Sequence, residues 1–146
     1  MTLKNVEMKY WTMWPTVAVH LVLGIVWYIV FQAPFMAVLD KPVPVNHLNL
    51  LGTSALVALV HNFVLIHIIA MGISLQNDPK QNRLVAGMMG AFWCWLGFVA
   101  MTGIPATQYE HRSLMVYILN TFYMLVSMLI SGAILGEWGV IPKKAN

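Results

Sequence analysis

Four stretches of this chain, about Trp14 to Leu39, Leu48 to Leu75, Leu84 to Thr107 and Ser113 to Trp138, contain no charged residue except Glu137. Each passes the roughly 20 apolar residues that a helix needs to cross a hydrocarbon core. A backbone in lipid must satisfy its own hydrogen bonds, so runs of this length are read as transmembrane helices. The expectation is an all-α, four-helix integral membrane bundle in a single domain covering residues 1–146. With 60% apolar and 9% charged residues, the chain has too little polar surface to clothe a soluble globule.

The helix boundaries come from breakers. Pro15 suits a first helical turn, and Pro34 predicts a bend in the first span. Pro105 predicts the end or a kink of the third span, and Gly139 with Pro142 stops the fourth. The first apolar run passes through Pro34 into a polar loop without a small-residue cleavage site, so it reads as a retained span and not as a secretory signal.

An even number of spans puts both termini on one side. Lys4, Lys9, Lys80, Arg83, Lys143 and Lys144 fall on that side, against Lys41 and Arg112 on the other. The excess of basic residues predicts cytoplasmic termini, which fits a bacterial inner membrane. Tyr10, Trp11, Trp14 and Trp138 would mark the cytoplasmic boundary and Tyr109 the outer one. The net charge of +3 is spread over the ends of apolar runs, which is topology information and not a nucleic-acid footprint.

Helices in lipid meet through close backbone approach and hydrogen bonds, so small residues predict contacts. Gly87, Gly90, Cys94 and Gly97 draw one seam on the third span. Gly132 and Gly136 form a GxxxG pair on the fourth, beside a stripe of Asn120, Met124, Ser127, Ser131, Ile134 and Trp138. On the second, Ser54, Ala58, His61, Leu65, Ile68 and Gly72 share a face.

Polar residues deep in a span are functional candidates by default. Here they are His20, His61, His67, Asn62, Gln32 and Asn120, with no carboxylate or lysine among them, which weighs against an ion-coupled transporter. His61 and His67 lie six residues apart and point about 120° from each other, so they cannot chelate one ion together. Counted from the cytoplasmic edge at about 1.5 Å per residue, His20 and His67 reach similar depths of about 10 and 12 Å. They are therefore expected to face each other, as hydrogen-bonded packing residues or as ligands of a haem, a chlorophyll-type pigment or a metal. His61, Asn62, Trp27, Tyr28 and Asn120 are candidate linings of a solute path, with interhelical packing as the plain alternative. Gly24 would admit a neighbouring backbone beside Trp27 and Tyr28. In the outer loop, Glu110 and Arg112 are expected to cap and anchor the last helix, with ion binding by His111 and Glu110 as the alternative. The lone Cys94 excludes an internal disulfide and a thiolate metal cluster, and no nucleophile elbow, phosphate loop or HExxH is present.

Gly24-Ile25-Val26-Trp27-Tyr28, together with the closing run from His111-Arg112-Ser113-Leu114 to Gly132-Ala133-Ile134-Leu135-Gly136-Glu137-Trp138, resembles the bacterial four-span family catalogued as domain of unknown function 1761. The likeness follows spans one, three and four in order and spacing. The His61, Asn62 and His67 group and the proline-bearing first loop depart from that pattern. The resemblance implies a four-helix membrane protein and no activity.

Three functional readings follow. The first is a non-enzymatic membrane protein that packs against itself or serves as an accessory subunit of a larger membrane complex. The second is a carrier or channel for a small solute. The third is a haem or pigment binder through His20 and His67.

Overall fold

A computed structural model describes residues 6–33, 37, 47–76, 82–109 and 113–142. The expected bend at Pro34, the caps at Glu110 and Arg112, and the charges at Lys4, Lys41, Lys80, Arg112, Lys143 and Lys144 lie outside these residues. Among them stand four helices long and apolar enough to cross a bilayer.

The chain enters through strand β1 (Val6–Met8) and a 3-10 turn (Tyr10–Thr12), then forms helix α1 (Met13–Val30). Pro15 falls in the first turn of α1, where its missing N–H leaves no bond unmade. Helix α1 stops at Val30, earlier than the expected Leu39. Phe31 leaves the helical region there (φ −101°, ψ 20°), and a helix running on through Pro34 would leave the Val30 carbonyl without its donor. Helix α2 (His47–Gln76) is the second span. The third begins at α3 (Arg83–Cys94), where the Asn82 side chain accepts the Val85 N–H at 3.3 Å as an N-cap. It passes through a π-helical segment (Trp95–Ala100) into α4 (Met101–Tyr109). The fourth is α5 (Leu114–Ile134), followed by a second π-helical segment (Leu135–Gly139) and strand β2 (Val140–Pro142).

Pro105 does not end the third span. In the π register the Ala100 carbonyl would look five residues on, to a proline that has no N–H. The Tyr117 hydroxyl, from the fourth span, donates to that carbonyl instead. Another inter-span bond lies nearby: Trp95 Nε1 donates to the Thr121 carbonyl at 2.8 Å. Such side-chain donors are how a membrane helix tolerates an interrupted backbone ladder.

The spans follow chain order around a ring: one packs on two, two on three, three on four, and four on one. The tightest approach is between three and four. A β-carbon at Gly87 would fall on the backbone of Gly132 and Gly136, and one at Gly132 on the backbone of Gly87. The expected contacts at Gly87, Gly132 and Gly136 are therefore made within the chain. Gly90 meets only the Ile69 side chain, and a β-carbon at Gly97 would meet nothing.

On α2 the buried face is Ala58, Asn62, Leu65, Ile66, Ile69 and Ala70. It is rotated from the expected stripe, since Gly72 is exposed and His61 and Ile68 are half-buried. Strands β1 and β2 pair antiparallel, Val6 opposite Pro142 and Met8 opposite Val140, so the two strands lie together at one end of the bundle. Val6 and Val140 join Met13, Leu65, Ile66, Ile69, Cys94, Met128 and Leu135 in the apolar core there. Arg83 and Glu137 form an ion pair at 3.5 Å across spans three and four at the same end, half-exposed and worth at most about 1 kcal/mol.

Candidate functional site

Two polar stripes at four-residue spacing meet inside the bundle. One is Thr12, Thr16 and His20 on the first span, the other Tyr123, Ser127 and Ser131 on the fourth. Thr12, Thr16, His20, Ser127 and Ser131 are all buried. Thr12 and Thr16 turn their hydroxyls back to the Lys9 and Met13 carbonyls, both at 2.7 Å, and so remain within their own segment.

His20 is the junction of these stripes. Its Nδ1 lies 3.1 Å from the Thr16 carbonyl, which can only accept, so Nδ1 carries the proton and Nε2 the lone pair. The Ser131 hydroxyl oxygen sits 3.3 Å from the same Nδ1. The backbone carbonyl of His20 accepts the Tyr123 hydroxyl at 3.0 Å. Gly24 permits this approach, since a β-carbon there would stand 3.1 Å from the Tyr123 oxygen. The neighbour admitted at Gly24 is thus a phenol and not a backbone.

Across from His20 stands His61, not His67. The two rings have centroids 5.5 Å apart and are tilted by 52°. His67 lies with Tyr10 and Phe63: its Nδ1 donates to the Phe63 carbonyl at 2.7 Å, and its Nε2 takes the Tyr10 hydroxyl at 3.3 Å. Both of its nitrogens are engaged. Depth counted from the apolar edge of each helix misplaced the pair, because those edges do not fix how far antiparallel helices slide past each other. His67 is level with Tyr10 at the start of the first span, and His61, two turns deeper along α2, meets His20.

Asn62 is fully buried, and its amide nitrogen donates to the Ala58 carbonyl of its own helix at 2.8 Å. It does not pair with His61 or bridge helices through that nitrogen. Tyr28 and Asn120 do join across spans one and four, hydroxyl to Oδ1 at 3.2 Å. Trp27 packs on Phe31 with centroids 4.5 Å apart, and on Phe122 and Tyr123 at 5.8 and 6.2 Å. Trp27, Tyr28 and Asn120 thus lie along the seam between spans one and four, with Tyr28 half-exposed, while His61 and Asn62 stand on span two; Tyr123 links the His20 level to the Trp27 and Tyr28 level.

Among the described residues, the buried His20 Nε2, Asn62 Oδ1 and Trp27 Nε1 find no hydrogen-bond partner. The described charged residues, Glu7, Lys9, Arg83 and Glu137, all belong to the strand end, so the seam is electrically neutral. Among the described residues no group of three or more His, Cys, Asp or Glu side chains is placed to hold a metal.

Two grooves open on the outer surface, and neither reaches the seam. One, of about 660 Å³, lies between spans two and three and is lined by Ile69, Gly72, Met89, Gly90, Trp93 and Phe98 among others. The other, of about 380 Å³, lies between the first and second spans at Tyr10, Trp14, Val60 and Phe63.

Sequence reasoning passed over Thr12, Thr16 and Tyr123 and took Ser127 and Ser131 for packing residues. The four-residue polar periodicity on the two spans was the available signal.

No curated protein and no solved structure matches the chain. The profile of the family described as "Protein of unknown function (DUF1761)" matches residues 14–136, which takes in all four spans and leaves out the two strands. The chain belongs to that family.

Proposed function

We propose that this protein is a non-catalytic membrane subunit that works by lateral association, with a transmembrane helix of a second copy lying in the groove between spans two and three. The observation that carries this reading is the groove itself, about 660 Å³ with Gly72 and Gly90 in its lining and Met89, Trp93 and Phe98 around it. Small residues let a neighbouring backbone come close, and in lipid that closeness is the main source of helix affinity. The third span is also the one least covered by its own chain. The Gly87, Gly132 and Gly136 seam gives no support, since it is consumed inside the bundle.

The chain also supplies a matching ridge. Val22, Ile25, Val26 and Ile29 stand exposed on span one at helical spacing, the shape that fits a groove floored by glycine. Groove and ridge are different surfaces, so the contact is heterologous and its geometry decides between a closed ring and an open row. The test is the mass of the purified protein in mild detergent. The proposal expects an oligomer that falls to monomer when Gly90→Trp fills the groove. A monomeric parent, or an oligomer indifferent to the substitution, would contradict it, and a stable complex with a different membrane protein would favour the accessory-subunit reading.

A further inference from the structure

We propose that the groove between spans one and two at the strand end binds one anionic phospholipid, with an acyl chain along the groove and the phosphate on Lys9. This inference concerns a surface that the association reading leaves unused, and it does not depend on that reading.

The groove, of about 380 Å³, extends one helical turn from Tyr10 and Phe63 to Trp14 and Leu59. Met13 is buried and Leu59 half-buried, and they form its floor; Tyr10, Trp14, Val60 and Phe63 are exposed and form its walls. The wall nearest the strands is held in place by its own contacts. The Tyr10 ring stacks on Phe63 with centroids 6.0 Å and planes 19° apart, and the Tyr10 hydroxyl meets His67 Nε2 at 3.3 Å. Walls that are already ordered lose little freedom when the groove fills.

The lining selects the occupant. None of its six residues is glycine, alanine or serine, so the backbone of a facing helix cannot come close, and close approach is what binds helices in lipid. The groove between spans two and three, with Gly72 and Gly90, is the contrasting case. A chain of methylenes is thinner than a helix of about 10–12 Å diameter, and it packs on apolar side chains without needing a small residue.

Charge selects the headgroup. Among the described residues Arg83 is paired with Glu137, whereas Lys9, half-buried and next in the chain to Tyr10, makes no ion pair. An unpaired ammonium at the head of an apolar groove complements a phosphate that carries an acyl chain. Trp11 and Trp14, 62% and 66% exposed, mark the same level as the headgroup zone, where indoles characteristically sit. In the sequence the span ends on this side carry Lys4, Lys9, Lys80, Arg83, Lys143 and Lys144 against Glu7, Asp78 and Glu137, an excess that draws anionic lipid.

The test is native mass spectrometry of the purified full chain in mild detergent, titrated with dioleoyl phosphatidylglycerol or dioleoyl phosphatidylethanolamine, which share acyl chains and differ in headgroup charge. One phosphatidylglycerol should be retained, bound about fivefold more tightly than phosphatidylethanolamine, the attraction expected of one basic residue at a lipid surface. Lys9→Gln should bring the two lipids level. Val60→Trp fills the groove from an exposed position and should weaken retention of either lipid by about tenfold or more, the loss of a few buried methylenes. Ile118→Trp, exposed on span four, and Gly90→Trp, in the other groove, should leave retention unchanged, and the latter separates this site from the association surface. Equal binding of the two lipids by the parent, a preference unaltered in Lys9→Gln, or retention unaltered in Val60→Trp would overturn the proposal. So would displacement of the lipid by glycerol phosphate, or a second copy of the chain, released by Val60→Trp, in place of the lipid.

Discussion

The Tyr123 hydroxyl reaches across from the fourth span to donate to the main-chain carbonyl of His20 at 3.0 Å, beside the one glycine, Gly24, that leaves room for it. The same histidine is held at its ring by Thr16 and Ser131, so spans one and four are joined at two atoms of a single residue. Interhelical hydrogen bonds in lipid average well under 1 kcal/mol in measured cases, so Tyr123→Phe should lower bundle stability by about 0.6 kcal/mol. Gly24→Leu should cost more, because it displaces the whole phenol. Detergent-titrated unfolding of the two variants provides the comparison, and equal effects would contradict the role given to Gly24.

His20 and His67 separate in the same assay. His20→Ala removes a buried ring and its bonds to Thr16 and Ser131, and should cost about 2 to 3 kcal/mol by analogy with large-to-small core changes. His67→Ala removes a contact to Tyr10 at the margin of the bundle and should cost about 1 kcal/mol or less. The reverse order would contradict the placement of the two residues.

The glycines form a graded series. Gly132→Leu or Gly87→Leu places atoms on a facing backbone and should cost about 3 kcal/mol or more. Gly90→Ala meets only the Ile69 side chain and should be nearly silent toward folding. Thermal stability of the detergent-solubilised variants reads the series directly.

Much of this architecture is legible in the sequence, and its limits have physical causes. Uncharged runs past twenty residues identify four spans because lipid imposes a length and forbids exposed backbone. Gly87 and Gly132 are readable as contacts, but not which surface they touch, since a smooth seam serves an internal neighbour and an external one equally. The face of α2 was misjudged because that helix is apolar on every side. Asn62, not His61, turns fully inward. The sliding of α1 against α2 decides between His61 and His67 as partner of His20. No single-helix pattern carries that information.

Pairing of Val6 with Pro142 and Met8 with Val140 holds the two strands at one end of the bundle. The division of basic residues, Lys4, Lys9, Lys80, Arg83, Lys143 and Lys144 against Lys41 and Arg112, predicts that this end faces the cytoplasm. Reporter tags at either terminus should be protected from external protease in intact cells. Cleavage of either tag from outside would reverse the orientation.

Association through the groove is tested most directly inside the native membrane. A photo-reactive amino acid placed at Met89, exposed on the wall of the groove, should give an adduct with the mass of two copies of the chain. The same group placed at Val57, exposed on span two away from the groove, should give none. No adduct from Met89, or equal adducts from both positions, would contradict the account.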